Sequence, residues 1–251
     1  MGAVYTIWLR EMKRFFRARS RIVGNLSMPF IWLVIMGIGL GSSFALTGIS
    51  FNYIQFLAPG IIGMTLLFTS IFSGVSVIWD KQFGFLKEIL VAPVSRVSIV
   101  LGKMIGSSTI SIINGVLIFI IAIALGAVSV GSLTLFGIIA SVVFMSMISF
   151  SFVSIGLIIA SKLENMEGFQ MIMSFLVMPV FFLSGAFFPI ENIPVWMKVL
   201  AYIDPLFYGV DGLRGSLIGI SQLPVWLNFS VLLGFCLVII ALSSIIFKKM
   251  G

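Results

Sequence analysis

Four long stretches of this 251-residue sequence contain no charged side chain, and they restrict the possible folds more than any other feature. They are residues 22–79, 104–161, 168–190 and 215–247. A helix of about 20 residues crosses a hydrocarbon core of about 30 Å. The two stretches of 58 residues therefore predict two crossings each, and the stretches of 23 and 33 residues predict one each. The sequence predicts an all-α membrane protein with six transmembrane helices.

Turn-forming residues divide the two longest stretches near their middles. Gly, Ser and Asn cluster at 48–52, and Gly and Ser cluster at 126–132, which predicts two short hairpin loops. The hydrophobic content of 60% and the charged content of 9% agree, because a soluble domain could not bury so much apolar surface. The predicted spans are residues 25–46, 56–79, 101–125, 133–160, 168–187 and 226–247.

The distribution of Lys and Arg predicts the orientation in the membrane. Lys198 and Arg214 lie on one predicted side, and the other 13 of the 15 basic residues lie on the opposite side. Because loops rich in Lys and Arg stay in the cytoplasm, both termini are expected there, in a multi-pass protein of the cell membrane. The net charge of +7 then reflects topology, so no nucleic-acid partner is expected.

The N-terminal residues 4–19 predict an amphipathic helix ahead of the first span. Trp8, Met12, Phe15 and Phe16 follow helical spacing and are expected on one face, with basic residues around the rest. A basic helix with an aromatic face is typical of a helix that lies in the membrane interface. Two interpretations stay open: a topology anchor, or an elbow helix beside the docking site of a partner.

Residues 80–98 form the largest predicted cytoplasmic loop. Its middle has an amphipathic helical pattern, which Pro93 ends. An apolar helix face on the cytoplasmic side requires a cover. That cover could be the bundle itself, the lipid surface, or the groove of a cytoplasmic partner.

The connector at residues 188–224 contains more structure than a loop requires. Its apolar runs Val195–Ile203 and Leu206–Leu217 are too short to span, and they predict re-entrant or interfacial helices. Asp204 followed by Pro205 is typical of a helix start. Asp211 and Arg214 in the second run are three residues apart and could form an ion pair. The candidate residues of this external region are Pro189, Pro194, Trp196, Asp204, Pro205, Tyr208, Asp211 and Arg214.

The sequence lacks the usual signs of catalysis. It contains no His, no Walker A pattern and no cluster of metal ligands, which argues against a membrane enzyme. The serines of the fourth span are better explained by helix packing. The charge-free stretches also lack the carboxylates that ion-coupled transporters use, which argues against an autonomous channel or secondary transporter. A pump of this kind has to take its energy from another subunit.

Two segments identify the sequence as similar to a known family. Residues 84–96 read Gly-Phe-Leu-Lys-Glu-Ile-Leu-Val-Ala-Pro-Val-Ser-Arg and are followed by Leu-Gly-Lys at 101–103. Residues 184–214 begin Ser-Gly-Ala-Phe-Phe-Pro and continue to Asp-Gly-Leu-Arg. Both resemble ABC-2 type transporter permeases, and the drug-exporting branch typified by daunorubicin-resistance permeases most of all. The resemblance covers nearly the whole chain, which implies one transmembrane domain over residues 1–251.

The resemblance implies that the 80–98 loop forms a coupling helix on a separate ABC ATPase. Two ATPases, which bind ATP and Mg²⁺, would join this permease and a second copy or a paralogue; this chain itself would hold no cofactor. Many members read Gly-Thr-Leu-Glu where this chain reads Gly-Phe-Leu-Lys, so whether Lys87 or Glu88 faces the ATPase stays open. The predicted coupling residues are Gly84, Phe85, Leu86, Lys87, Glu88, Ile89, Leu90, Pro93 and Arg96.

The resemblance also implies the direction and the path of transport. The expected function is outward transport of a hydrophobic or amphipathic substrate by alternating access, with a polysaccharide or lipid-linked glycan as the alternative cargo. Spans 1, 2 and 5 are expected to line the pathway, and Pro29, Pro59 and Pro179 could bend them. The connector helices at 190–214 are expected to cap its outer end.

Overall fold

The computed structural model describes residues 2–39, 52–82, 95–129, 131, 133–163 and 165–248. Within these ranges the chain is helical and contains no strand. Six helices are long and apolar enough to cross a membrane, so the prediction of an all-α membrane protein with six spans is confirmed. Spans 1 to 6 are Arg19–Gly39, Tyr53–Gln82, Val97–Ala124, Leu135–Lys162, Met166–Leu183 and Val225–Ile246.

The first span begins earlier than predicted, at Arg19 rather than at residue 25. The helix tolerates Arg19 and Arg21 because long basic side chains can extend from a membrane-embedded stem to the polar interface. The predicted turn at 48–51 lies outside the described residues. Asn52 caps the start of span 2, and its backbone N–H donates to Oε1 of Gln55 at 3.3 Å.

The N-terminal helix, Gly2–Arg17, packs along span 3. Met12 and Phe15 are buried against span 3, and Trp8 packs beside them. Phe16 lies at the edge of the same helix face and is 59% exposed, so it does not join this contact. Successive helical residues are about 100° apart, so only the stripe through Trp8, Met12 and Phe15 can face span 3.

Span 2 is the centre of the bundle. Most of its residues are buried, whereas only a minority of the residues of spans 1, 5 and 6 are. Its backbone lies close to that of span 4, since a Cβ added to Gly74 would overlap the carbonyl oxygen of Gly156. Small residues allow such backbone approach between membrane helices. Spans 1, 5 and 6 therefore form the periphery of this chain.

The predicted 80–98 loop is shorter than expected, because both of its ends are helical. Span 2 continues to Gln82, and Ser95 caps the next helix by accepting a hydrogen bond from the N–H of Ser98 at 3.2 Å. That helix begins at Arg96 and continues as span 3. The coupling residues that lie outside the described residues are Gly84, Phe85, Leu86, Lys87, Glu88, Ile89, Leu90 and Pro93.

The connector between spans 5 and 6 contains two α-helices, as the sequence predicts, after a single 3-10 turn at Ile190–Asn192. The first connector helix is Val195–Ile203 and the second is Pro205–Ile218. Asp204 caps the second helix, since its Oδ1 accepts the N–H of Leu206 at 2.8 Å, and Pro205 occupies the first turn. The second connector helix packs on spans 2, 4 and 6, which places it within the bundle rather than beside it.

Candidate transport site

A groove of about 480 Å³ lies between spans 1, 2 and 5. Most of its wall is apolar and aromatic. These are the three spans from which the family resemblance predicts the lining of the pathway. The lining residues are Gly24, Asn25, Met28, Pro29, Trp32, Met64, Thr65, Phe68, Thr69, Phe72, Gln170, Met173, Ser174, Met178, Phe181 and Phe182.

The polar groups of the groove are all uncharged. They are Asn25, Thr65, Thr69, Gln170 and Ser174, and the described lining contains no Lys, Arg, Asp or Glu. Thr65 is buried and donates to a backbone carbonyl of its own helix, so its hydroxyl is already partly satisfied. The groove can therefore surround an apolar molecule and offer a few hydrogen bonds, but it holds no countercharge for an ion.

Two of the groove-lining spans contain irregular helical turns. Span 1 ends in a π-helical turn, Ile35–Gly39, and span 5 contains another, Met173–Val177, which is followed by Pro179. Such turns interrupt the regular hydrogen-bond ladder and are frequent at functional sites. The turn in span 5 places both Met173 and Ser174 in the groove wall.

An aromatic cluster borders the groove on the side of the connector. The ring centroid of Phe187 lies 5.1 Å from Trp32, 5.0 Å from Phe181 and 5.6 Å from Phe182. Phe68 of span 2 joins through Phe181 at 5.7 Å. Aromatic pairs at these separations are favourable beyond the apolar area that they bury. Three spans and the start of the connector therefore meet in one layer of rings.

A narrow polar pocket lies beside the groove at Thr69. Thr69 lines both the groove and this pocket, so the two adjoin. The pocket reaches the N-terminal helix and contains the charges of Glu11, Arg14 and Arg21. The groove thus borders aromatic rings on one side and polar groups near the predicted cytoplasmic side on the other.

The predicted pairing of Asp211 and Arg214 forms inside the bundle. Nη1 of Arg214 lies 3.9 Å from Oδ1 of Asp211, and the two side chains are 2% and 0% exposed. Arg214 also donates to the carbonyl oxygen of Gly185 at 2.9 Å, and its guanidinium carbon lies 3.8 Å from the ring centroid of Phe56. Burial lowers the pKa of Arg214 to about 10, and Asp211 acts in the opposite direction.

Asp211 also holds the end of the connector. Its carboxylate accepts the backbone N–H groups of Gln222 and Leu223 at 2.9 and 3.0 Å, and the side-chain amide of Asn228 at 2.8 Å. Asn228 belongs to span 6. Together Asp211 and Arg214 fasten the second connector helix to spans 2 and 6 and to the turn that follows span 5.

The remaining external residues are more dispersed. Tyr208 donates its hydroxyl to the carbonyl of Tyr202 at 2.8 Å, which joins the two connector helices. Pro189 and Pro194 precede the short helices that begin at 190 and 195, and Trp196 is 65% exposed on the first of the connector helices. Trp196 is therefore apart from the Asp211–Arg214 network.

The family resemblance predicted the three spans of the groove, but the residues of its wall were not predicted. Asn25 and Gln170 were the available signals, since an amide in a charge-free stretch has to find a polar partner or face a cavity. The groove itself depends on how three distant spans pack, which no local pattern describes.

The fold and the groove define a class: a helical, multi-pass membrane protein with a pathway-sized groove among its spans. The family model described as ABC-2 type transporter matches residues 2–218. The chain therefore belongs to the ABC-2 type transporter family. Members of this family are permease subunits of ABC transporters, so this chain is a permease that associates with an ABC ATPase.

Named relatives match over nearly their whole length. The inner membrane transport permease YadH of Escherichia coli (strain K12) is 25% identical over 236 residues, 93% of this chain and 90% of YadH. Nodulation protein J of Rhizobium leguminosarum bv. viciae is 26% identical over 247 residues, 97% of this chain and 93% of the relative. The ycf38 protein of Cyanophora paradoxa is 27% identical over 240 residues, 91% and 81% of the two chains.

Proposed function

We propose that this permease exports an uncharged hydrophobic or amphipathic molecule across the plasma membrane, through the groove between spans 1, 2 and 5. The observation that carries the proposal is the composition of the groove: aromatic and Met side chains with five uncharged polar groups and no charge in the described lining. Met and aromatic side chains adapt to ligands of different shape. A volume of about 480 Å³ falls within the range of pockets that enclose drug-sized molecules.

In this proposal, the energy for transport comes from the ATPase partner. Two ABC ATPases bind ATP and Mg²⁺ and engage the predicted coupling residues between spans 2 and 3, while this chain acts without an ATPase site of its own. A second permease copy, or a paralogue, completes the pathway. Spans 1 and 5 are peripheral in this chain and border the groove, so the second permease can close it from that side.

Alternating access requires the two ends of the groove to open in turn. The polar pocket beyond Thr69 lies toward the predicted cytoplasmic side, where both termini lie in this proposal. It has room for about one water molecule, so it has to widen before substrate can enter there. The aromatic cluster around Phe187 separates the groove from the connector. Export requires the rings to part while the polar end closes. The buried Asp211–Arg214 network keeps the connector helix fixed to spans 2 and 6 during this movement.

The test is ATP hydrolysis by the permease and its candidate ATPase, purified together in lipid nanodiscs. Neutral hydrophobic compounds are expected to change the rate in a saturable way. Phe182→Ala, in the groove wall, should raise the half-maximal concentration about tenfold, the loss of roughly 1.4 kcal/mol of binding. Phe175→Ala is the matched control, since Phe175 lies on the same span, outside the groove, and is 82% exposed.

Two results would contradict the proposal. One is a rate that no neutral hydrophobic compound alters, although the complex assembles and hydrolyses ATP. The other is an equal effect of the two substitutions, which would place the binding site outside the groove.

A further inference from the structure

Two adjacent residues at the end of span 2, Asp80 and Lys81, make charged contacts with three other helices. Asp80 is 6% exposed, and its Oδ2 accepts a hydrogen bond from Nζ of Lys103 in span 3, which is 5% exposed. Nη2 of Arg10 in the N-terminal helix lies 3.7 Å from the same oxygen. One carboxylate therefore joins span 2 to span 3 and to the N-terminal helix.

Lys81 holds span 4. Its Nζ donates to the carbonyl oxygens of Ala160, Ser161 and Leu163 at 3.0, 2.5 and 3.2 Å. These carbonyls belong to the end of span 4, where a helix has no backbone donors left for its last carbonyls. A cation at this position also complements the negative end of the helix dipole.

A further contact supports the attachment of the N-terminal helix. The guanidinium carbon of Arg14 lies 5.8 Å from the ring centroid of Trp79, the residue before Asp80. Cations within about 6 Å of an indole ring are attracted to it. Arg10 and Arg14 are one helical turn apart, so a single face of the N-terminal helix contacts residues 79 and 80.

The position of this junction in the chain is informative. Span 2 ends at Gln82, and the helix that continues as span 3 begins at Arg96. The Asp80–Lys103 ion pair therefore joins the two helices that residues 83–94 connect. The predicted ATPase contacts from Gly84 to Pro93 lie between them in the sequence.

Stability alone does not explain buried charges at this position. Apolar side chains of similar size usually stabilise a buried contact at least as well as an ion pair, which loses its hydration. Hydrogen bonds to charged groups, in contrast, have preferred distances and directions. They fix how the ends of the four helices sit relative to one another, which is the property that a mechanical joint requires.

We infer that Asp80 and Lys81 are positioning residues that make the N-terminal helix, span 3 and span 4 move together with the end of span 2. A force applied between spans 2 and 3 then reaches all four helices at once. The inference rests on the proposed function in one respect, because the ATPase is the source of that force. The inference assigns a transmission role to Asp80 and Lys81, which are not among the coupling residues predicted from the family resemblance.

The experiment uses the full permease–ATPase complex in nanodiscs, without added compound. The permease-dependent part of ATP hydrolysis is measured as the rate of the complex minus that of the free ATPase, beside the amount of ATPase that co-purifies. Asp80→Asn and Lys81→Met should each lower that part about tenfold, within the 5–150-fold range typical of coupling between sites. Co-purification should not change.

Conservative variants and a matched control separate transmission from folding. Asp80→Glu and Lys81→Arg keep the charge and should retain most of the permease-dependent rate. Lys162→Met should leave it unchanged, since Lys162 is an exposed lysine at the end of the same span that Lys81 holds.

Two outcomes overturn the inference: a wild-type rate in both neutral variants, or a loss that follows only from less assembled complex or a lower unfolding temperature. The proposed function fails separately, if the wild-type complex couples to its ATPase but no neutral hydrophobic compound changes hydrolysis.

Discussion

Arg214 is the largest fully buried side chain among the residues that the structure describes. Its guanidinium is buried between the carboxylate of Asp211, the carbonyl of Gly185 and the ring of Phe56. The planar guanidinium can stack on a ring and donate in two directions at once, which an ammonium cannot do. The side chain therefore fastens three separate parts of the chain.

Removing this charge should destabilise the protein strongly. Arg214→Met leaves Asp211 buried without its cation, and breaking a buried pair costs roughly 3–5 kcal/mol. The double variant Asp211→Asn with Arg214→Met should lose less than the sum of the two single variants, because neither charge is then left alone. Thermal unfolding in detergent measures both. Equal midpoints for Arg214→Met and the wild type would contradict this role.

Asp204 should make stability depend on pH. Burial raises the pKa of its carboxyl to about 8, although the hydrogen bond from the N–H of Leu206 acts in the opposite direction. Below about pH 4 the carboxyl is protonated in both the folded and the unfolded chain. Between about pH 4 and 8 only the unfolded chain ionises, so the free energy of unfolding should fall as pH rises through this window.

The variant Asp204→Asn tests this directly. The Asn side chain can still cap the second connector helix, but it does not titrate. Unfolding midpoints measured from pH 4 to 8 should fall less steeply in Asp204→Asn than in the wild type. Parallel curves for the two proteins would exclude Asp204 as the source of the dependence.

Between elements, the packing of spans 2 and 4 depends on two glycines. A Cβ on Gly156 would lie 2.6 Å from the carbonyl oxygen of Ile71, and one on Gly74 would meet Gly156 itself. Backbone at this distance cannot give way as the end of a flexible side chain can. The two spans can therefore keep their present separation only without side chains at this crossing.

Gly156→Ala should push the two helices apart, at a cost of roughly 1–3 kcal/mol. Gly234→Ala is the control in span 6, because a Cβ there meets nothing within 4 Å. Since Ala is the better helix former, the control should be neutral or slightly stabilising. Unfolding midpoints of the two variants give the comparison, and equal effects would contradict close packing at Gly156.

The elements were largely predictable from sequence because lipid excludes unpaired charge and requires backbone hydrogen bonds within each span. Gaps between charges therefore gave six spans, and Asp204 with Pro205 gave the start of the second connector helix. The exposure of Phe16 was not predictable, because helical periodicity does not say which part of a broad apolar face meets a neighbour.

The junction at Asp80 and Lys81 shows what local patterns cannot supply. Lys103 is 23 residues from Asp80 in the sequence, and the carbonyls that Lys81 binds are some 80 residues away. Both residues were predicted as part of a loop, in which a charge needs no partner. Only the packing of spans 2, 3 and 4 brings these groups together and buries them.

For the whole molecule, the arrangement separates three tasks. The groove among spans 1, 2 and 5 is uncharged and apolar, and we propose that it carries the substrate. The charged junction at the end of span 2 joins four helices and is followed in the sequence by the predicted ATPase contacts. The Asp211–Arg214 network fixes the connector at the other end. A force received at one end can thus act on a groove beside a connector helix that is held to spans 2 and 6.

The most direct test of this account is ATP-driven transport in vesicles that contain the permease and its ATPase. A neutral hydrophobic fluorophore is compared with an analogue that carries a permanent positive charge. Because burying an ion without a countercharge is costly, the neutral compound should be transported and the charged analogue should not. Phe182→Ala should slow transport of the neutral compound, and Phe175→Ala should not. Equal transport of the two compounds, or normal transport by Phe182→Ala, would contradict the assignment of the groove.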